Sequence, residues 1–302
     1  MLAYVKLARP KQWTKNLVVL AGPMFGQTFS AEAAVSTLII FVAFCLVSSA
    51  SYAINDLMDR KADALHPTKR HRPLASGAIG PTGAVIFALL AVGSSVTLSA
   101  LFLPMLCTLI IVIYFVEVLA YSLALKKRVI IDVILIAIGF VLRASAGAAA
   151  VDVYVSPWLL VCTFTVSLFL GFGKRRCELA AFERAEGEAG KHRPVLQHYT
   201  PELLNQLNSI SAGVAVVTFL LYTMTPDTSR HAPQFPKQHL LYSVPLVVYG
   251  IFRYAMVTES GKYEGPAEIL HRDRPMLMVA ALWFLFGAAV VTEKHWLHLF
   301  MI

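Results

Sequence analysis

The chain is best read outward from Asn55-Asp56-Leu57-Met58-Asp59-Arg60-Lys61-Ala62-Asp63-Ala64-Leu65-His66-Pro67-Thr68-Lys69-Arg70-His71-Arg72-Pro73-Leu74-Ala75-Ser76-Gly77. This stretch follows a long apolar run and sets aspartates first, then basic side chains and prolines. At 100° per residue, a helix places Asp56, Asp59 and Asp63 within an arc of about 60°, and Asn55 widens it to about 100°. Oxygen ligands on one face at the end of an apolar span suit a hard divalent cation such as Mg²⁺. The basic tail beside them suits a phosphate ester bridged to that metal. The plainer alternative is a solvated helix end with capping aspartates.

The rest of the chain says where that face lies. Of 302 residues, 57% are hydrophobic and the mean hydropathy is +0.65, too apolar for a soluble domain of this size. Apolar runs long enough to cross about 30 Å of hydrocarbon recur along most of the length. Nine spans fit, at about residues 14–29, 32–54, 81–101, 104–125, 130–150, 156–173, 203–224, 240–257 and 276–300. No stretch outside them holds a separate core, so residues 1–302 read as one all-α integral membrane domain. Lys6, Arg9, Lys11 and Lys15 before an apolar run imitate a cleavable signal, with Ser30-Ala31-Glu32-Ala33 as its cleavage site. Arg9-Pro10, Trp13 and the many later spans argue instead for mature protein.

Charge gives the orientation. Of the 26 Lys and Arg, 21 fall in the N-terminal segment and in the connections after the even-numbered spans. The positive-inside rule therefore puts the N-terminus and those connections in the cytoplasm, and the C-terminus outside. The connections at about 55–80, 174–201 and 258–275 are long and polar, as site-bearing loops are. Part of the net charge of +8 is thus topological, and contact with anionic membrane lipids explains any single lysine.

Charges inside the spans narrow the reading further. Arg143 lies deep in the fifth span, where an ionisable residue is by default a functional candidate. Asp132 falls close to the same helical face, and Glu117 shares a stripe with Tyr114 and Tyr121. A buried Glu117–Arg143 pair and a substrate role are equally open. Arg253, near a helix end, is expected to snorkel. The second long loop begins Gly173-Lys174-Arg175-Arg176-Cys177-Glu178, where Lys174 and Glu178 form an i, i+4 pair and the arginines offer forks for phosphate oxygens. Asp273 is placed to cap the last helix. Cys45, Cys107, Cys162 and Cys177 have neither disulfide nor zinc spacing. There is no Ser/His/Asp grouping, P-loop or dinucleotide fingerprint. Nucleic acid is excluded as a partner, because the cations belong to membrane loops without an aromatic platform. From residues alone this is a membrane enzyme acting on a metal-complexed phosphate or diphosphate, with a transporter of ions or anions as the competing class.

The pattern Asn55-Asp56-x-x-Asp59-x-x-x-Asp63, with Arg9-Pro10 and Trp13 before it and Arg72-Pro73-Leu74-Ala75-Ser76-Gly77 after it, resembles the UbiA-type intramembrane prenyltransferase superfamily. That resemblance implies a helical bundle with a lateral lipid opening and a cytoplasmic cap holding Mg²⁺ and diphosphate. The usual second aspartate-rich motif is replaced here by Lys174-Arg175-Arg176-Cys177-Glu178. With His66-Pro67-Thr68-Lys69-Arg70, Arg193-Pro194-Val195-Leu196 and Asp273-Arg274-Pro275, the chain looks like the decaprenyl-phosphate phosphoribosyltransferase branch.

That branch implies transfer of 5-phosphoribose from phosphoribosyl diphosphate to a polyprenyl phosphate, for cell-wall arabinan, in a bacterial inner (plasma) membrane. Asp56, Asp59 and Asp63 are then expected to hold Mg²⁺ on the leaving diphosphate, with Asn55 orienting them. Lys69, Arg70 and Arg72 are candidates for donor phosphates, with Lys174, Arg175, Arg176, Glu178 and Arg193 opposite. Lys11, Gln12, Lys15 and Asn16 are placed for the lipid phosphate, and Tyr121, Lys126, Asp132 and Arg143 for the cavity. A prenyltransferase joining a prenyl diphosphate to an aromatic acceptor is the alternative. Oligomeric state is left open, a homo-oligomer included.

Overall fold

A computed structural model describes residues 2–65, 69–154, 156–184, 194–226, 236–263 and 265–293. Among these there is no strand, and all four cysteines are free, as expected. Among the described residues, eight helices are long and apolar enough to cross a membrane. The chain divides into two compact units, Met1–Tyr154 and Val155–Ile302.

The first unit opens with α1 (Leu2–Ala8), a 3₁₀ segment (Pro10–Leu20) and α2 (Ala21–Phe25). The long helix α3 (Ala31–Met58) follows, then α4 (Arg60–Leu65), α5 (Pro81–Phe102), α6 (Met105–Leu123) and α7 (Ile131–Ala150). Ser30 caps α3 by accepting from the Ala33 amide at 3.1 Å, and Pro81 opens α5 at the position proline favours. The helices meet through small and hydroxyl residues, as bilayer helices do where lipid removes the usual hydrophobic drive. Ser95 Oγ donates to Ala43 O at 2.8 Å across α5 and α3, and Ser99 pairs with Thr108 at 2.9 Å across α5 and α6. Leu89, Leu90, Leu101, Phe102 and Leu106 point outward, the apolar exposure that lipid tolerates.

The expected first span, 14–29, is not an α-helix of spanning length. The 3₁₀ rise of about 2.0 Å over Pro10–Leu20 and the α rise of 1.5 Å over α2 still cover roughly 30 Å. A 3₁₀ helix eclipses every third residue, and here Trp13, Asn16, Val19 and Gly22 share that face. Each of the four has a partner across the interface. Trp13 Nε1 donates to Ser49 Oγ at 3.1 Å, Asn16 and Val19 are fully buried, and Gly22 lies against α7. A Cβ on Gly22 would come within 2.3 Å of the Ala148 nitrogen, and one on Gly147 within 1.9 Å of the Val19 carbonyl oxygen. Backbone meets backbone there, which only glycine permits.

The second unit comprises α8 (Pro157–Arg184), α9 (Pro201–Met224), a 3₁₀ turn (Lys237–Ser243) leading into α10 (Val244–Glu259), α11 (Pro266–Arg272) and α12 (Arg274–Val291). Helix α8 packs on α9 and α10, and α12 on α10. The expected end of the sixth span at residue 173 is too early, because α8 continues to Arg184. No glycine or proline interrupts Lys174–Arg184, and Glu178 accepts from Arg175 at 2.7 Å and forms an ion pair with Lys174 at 3.9 Å along the helix. Lys174–Glu178 is therefore a helix face, not the start of a loop.

Candidate active site

Beneath the acidic stretch lies an apolar cluster containing Leu7, Ala50, Ala53, Leu74, Ile79 and Ala84. Leu7 lies in the last turn of α1 and Leu74 belongs to the segment after α4, and both are fully buried. Burying each is worth about 1.5–3 kcal/mol. Together they fix two arginines, since Arg9 follows Leu7 and Arg72 precedes Leu74. The backbone of the second segment is closed by Arg72 N to Lys69 O at 2.9 Å, Ser76 N to Arg72 O at 2.9 Å and Ile79 N to Pro73 O at 3.0 Å. Gly77, at φ +78°, supplies its left-handed turn.

The aspartates hang from a broken helix. Asn55 and Asp56 are in the last turn of α3, Asp59 is its C-cap, and Asp63 is in α4. The i to i−4 pattern runs across the break, with Asp59 N to Asn55 O at 2.9 Å and Asp63 N to Asp59 O at 2.8 Å. Asp56, 1% exposed, accepts at Oδ1 from Arg9 Nη2 (2.5 Å) and Arg72 Nη1 (3.0 Å). The same Arg72 nitrogen reaches Asp63 Oδ2 at 2.7 Å, so it bridges two carboxylates. Lys126, after α6, donates to Asp59 Oδ1 at 2.6 Å and to Asn55 Oδ1 at 3.4 Å. Arg9 also lies over the Tyr52 ring, 5.1 Å from its centroid, and takes a left-handed backbone at φ 53°. Non-glycine strain of that kind collects at functional sites.

Asp56 Oδ2 is buried with no hydrogen-bond partner. Leaving such an oxygen unmade costs about 1–3 kcal/mol or more, which makes it a candidate ligand atom. Its hard-oxygen chemistry fits Mg²⁺. Among the described residues, no three or more His, Cys, Asp or Glu are gathered to hold a metal ion. The three aspartates share one end of the first unit, with Arg72 common to Asp56 and Asp63 and Lys126 on Asp59.

Deeper in the same unit lies a polar spine. Arg143, 6% exposed, donates from Nε to Asn16 Oδ1 (2.8 Å), from Nη1 to Gly139 O (2.7 Å) and from Nη2 to the Tyr114 hydroxyl (2.7 Å). Its guanidinium carbon is 4.6 Å from the Tyr114 ring centroid and 5.3 Å from that of Phe140. Asn16 Nδ2 donates to Cys45 Sγ at 3.4 Å and Ser48 Oγ donates to Asn16 Oδ1 at 3.4 Å. The Glu117–Arg143 pair is not formed, and Glu117 Oε2 is buried without a partner. Tyr114, one turn earlier on α6, takes the guanidinium instead.

The other expected residues are distributed as follows. Lys11 and Lys15 are exposed and Gln12 half-buried on the 3₁₀ segment, whereas Asn16 is 0% exposed and belongs to the spine. Lys69 is half-buried and Arg70 exposed in a short 3₁₀ turn. Tyr121 is half-buried on α6 and Asp132 is buried in the first turn of α7. In the second unit, Lys174 is half-buried, while Arg175 is 1% exposed and bound to Glu178. Arg176 Nε donates to Asn205 Oδ1 at 3.2 Å. Arg193, His66, Pro67 and Thr68 lie outside the described residues.

Arg253, expected to snorkel from near its helix end, has an acidic partner there. It grips Asp273 with two bonds, Nε to Oδ1 at 3.0 Å and Nη2 to Oδ2 at 2.7 Å. Asp273 also caps α12 as expected, accepting from the Met276 amide at 3.0 Å. The Arg253 bonds hold its carboxyl below the usual carboxylate range, with the Met276 amide adding to the effect. Arg9 and Tyr114 are what the sequence reading left out of the site. The signal for Arg9 was the Arg9-Pro10 pair; for Tyr114 it was the i, i+3 spacing to Glu117.

Comparison with known proteins agrees with this architecture. The UbiA prenyltransferase family model matches residues 16–226. A decaprenyl-phosphate phosphoribosyltransferase of Mycolicibacterium smegmatis is 34% identical over 296 residues, covering 95% of this chain and 92% of that protein. One of Corynebacterium glutamicum is 33% identical over 285 residues, covering 92% of this chain and 83% of that protein. Among solved structures, a UbiA homologue from Archaeoglobus fulgidus bound to GPP and Mg²⁺ superposes with a TM-score of 0.69 at 20% identity, covering 96% of this chain and 99% of that one. That likeness shows the fold. With its eight candidate spans and a family match over most of its length, the chain is an integral membrane protein that belongs to the UbiA prenyltransferase family.

Proposed function

We propose that the protein transfers 5-phosphoribose from phosphoribosyl diphosphate to a polyprenyl phosphate, a decaprenyl phosphate by its relatives' names, and releases diphosphate. The observation that carries this reading is similarity at 32–34% identity, over 92–95% of the chain, to enzymes named decaprenyl-phosphate phosphoribosyltransferase. The interleaving of Asp56, Asp59 and Asp63 with Arg9, Arg72 and Lys126 supports it. The product belongs to the synthesis of cell-wall arabinan precursors. The membrane is the bacterial inner membrane, with the N-terminus and polar loops cytoplasmic and the C-terminus outside, as the charge distribution supports.

A lipid phosphate oxygen attacks ribose C1 and forms the new C1–O bond. The bond from C1 to the diphosphate oxygen breaks, and its electron pair leaves with the diphosphate. The nucleophile is already anionic, so no general base is required. Asp56, through its free Oδ2, with Asp59 and Asp63, would hold Mg²⁺, which supplies charge neutralisation to the departing diphosphate. Arg9, Arg72 and Lys126 present cations to the same oxygens. Lys69 and Arg70 are assigned to the donor's phosphates, and Lys11, Gln12 and Lys15 to the lipid phosphate. In the second unit, Lys174, Arg176 and Arg193 are assigned to the remaining phosphate oxygens, and Arg175 to positioning through Glu178. Asn16 and Arg143 are assigned to holding the 3₁₀ segment.

The second reading is a prenyl diphosphate joined to an aromatic acceptor, favoured by the family match alone. Membranes carrying the protein, supplied with radiolabelled phosphoribosyl diphosphate, polyprenyl phosphate and Mg²⁺, should form a labelled lipid, and those carrying Asp56→Asn should not. Labelling from prenyl diphosphate and an aromatic acid instead would overturn the assignment.

A further inference from the structure

In the first unit, three carboxylates meet three cations. Asp56 is bound by Arg9 and Arg72, Asp63 by Arg72 and Asp59 by Lys126, with contacts of 2.5–3.0 Å. The formal charge of the cluster is zero. A divalent cation arriving alone therefore meets a neutral group, and one guanidinium nitrogen already sits between Asp56 and Asp63. Asp56 Oδ2 is the buried oxygen left without a partner, and one oxygen is a poor site for a hard dication that takes about six oxygens.

We propose that this cluster binds metal and diphosphate only as an interdependent pair, because Arg9, Arg72 and Lys126 are built-in counter-ions that the aspartates release when a diphosphate is present to receive them. The inference rests on the cluster being the diphosphate site, but not on whether that diphosphate carries ribose or a prenyl chain. A metal alone must break two or three charge-assisted hydrogen bonds and leave the freed cations unpaired. A metal with diphosphate replaces each carboxylate oxygen lost to a cation by a phosphate oxygen, so the ion pairs are exchanged rather than lost. Coupling of this kind is reciprocal: each ligand tightens the other by the same factor.

The test uses the purified full-length protein in detergent, with Mn²⁺ as the probe, read by the electron-spin resonance of unbound ion. Titrations are made with and without inorganic pyrophosphate, and the complex of Mn²⁺ with pyrophosphate in solution is subtracted from a protein-free series. Wild type should bind Mn²⁺ about tenfold or more tighter with pyrophosphate. Arg72→Gln and Lys126→Gln should each bind free Mn²⁺ several-fold tighter than wild type and show less tightening by pyrophosphate. Lys126, 19% exposed, sits at the rim, so its variant keeps the test informative if Arg72→Gln fails to fold. Equal Mn²⁺ affinity with and without pyrophosphate overturns the proposal, and so do variants that bind free Mn²⁺ no tighter than wild type. Coupling without phosphoribosyl transfer would sink the donor assignment alone. Transfer without coupling would sink this inference alone.

Discussion

Gly147→Ala tests the contact that seats the N-terminal segment. An ideal Cβ at that position would stand 1.9 Å from the Val19 carbonyl oxygen and 2.7 Å from its carbon. Carbon and oxygen in ordinary contact are about 3.3–3.6 Å apart, so the segment must retreat by roughly 1.5 Å. Neither partner is a flexible side chain end, because both are backbone. Overpacking that moves backbone costs about 3 kcal/mol, the upper part of the usual range. The same retreat carries Asn16, three residues from Val19, out of reach of its 2.8 Å bond from Arg143 Nε. At 2–4 °C per kcal/mol, the detergent-solubilised protein should melt about 6–12 °C lower. The control is Gly93→Ala, where nothing lies within 4 Å of the new methyl. There the helix should gain about 0.5–1 kcal/mol from reduced chain entropy, raising the midpoint by a few degrees at most. A Gly147→Ala protein that melts with wild type and turns over normally would refute the close approach and the role given to the 3₁₀ segment.

Further outcomes follow from the spine and from the cap of α12. Asn16→Ala and Arg143→Ala, singly and together, should show a coupling of about 0.6–1.7 kcal/mol in a thermal double-mutant cycle, the range found for hydrogen bonds between membrane helices. Additive effects would mean the two side chains are independent. Asp273 has a folded-state pKa below its unfolded value, so its stabilising effect is present above the unfolded value and is lost as pH falls through the folded one. Melting of Asp273→Asn should therefore lie below wild type at neutral pH and converge with it in acid. A gap independent of pH would remove the ion pair as its cause.

Much of this architecture was legible because long apolar runs have one solution in a bilayer. The spans expected at 81–101, 130–150 and 203–224 differ from α5, α7 and α9 by two residues or fewer at any end. The acidic motif was legible for a similar reason, since carboxylates at the end of a span need partners. What failed to show in the sequence was structure with a different period. The face Trp13, Asn16, Val19, Gly22 mixes an indole, an amide, an apolar chain and no side chain, so no hydropathy window registers it. Charge alone left two places unresolved. From the sequence, Lys174–Glu178 stands at the start of a loop, yet α8 runs through it to Arg184, and the expected i, i+4 pair forms along that helix. A Glu117–Arg143 pair is one of two open readings of the sequence, and a tyrosine hydroxyl and two carbonyl oxygens satisfy that guanidinium instead. Partner choice depends on distances across 29 to 127 residues of sequence, which no local pattern carries.

The 3₁₀ segment joins the two polar regions of the first unit into one mechanical element. Its entry carries Arg9, which holds Asp56; its middle carries Asn16, which Arg143 holds; its end runs into Gly22, which α7 holds. At about 2.0 Å per residue, Arg9 and Asn16 are separated along the rod by roughly 14 Å, and a three-residue period keeps the anchoring face in line over that length. An α-helix over the same residues would rotate Trp13, Asn16 and Val19 progressively off the face, at 300° for every three residues. Arg9 could then not be aimed by anchors so far from it. Under the proposed function, the buried arginine deep in the unit and the strained arginine at the aspartates would serve one requirement: a cation next to Asp56 placed firmly enough to compete for its oxygen, yet free to turn to a phosphate. The strain at φ 53° is borne at the hinge between α1 and the rod, where Ser49 Oγ ties Ala8 O at 3.0 Å and accepts from Trp13.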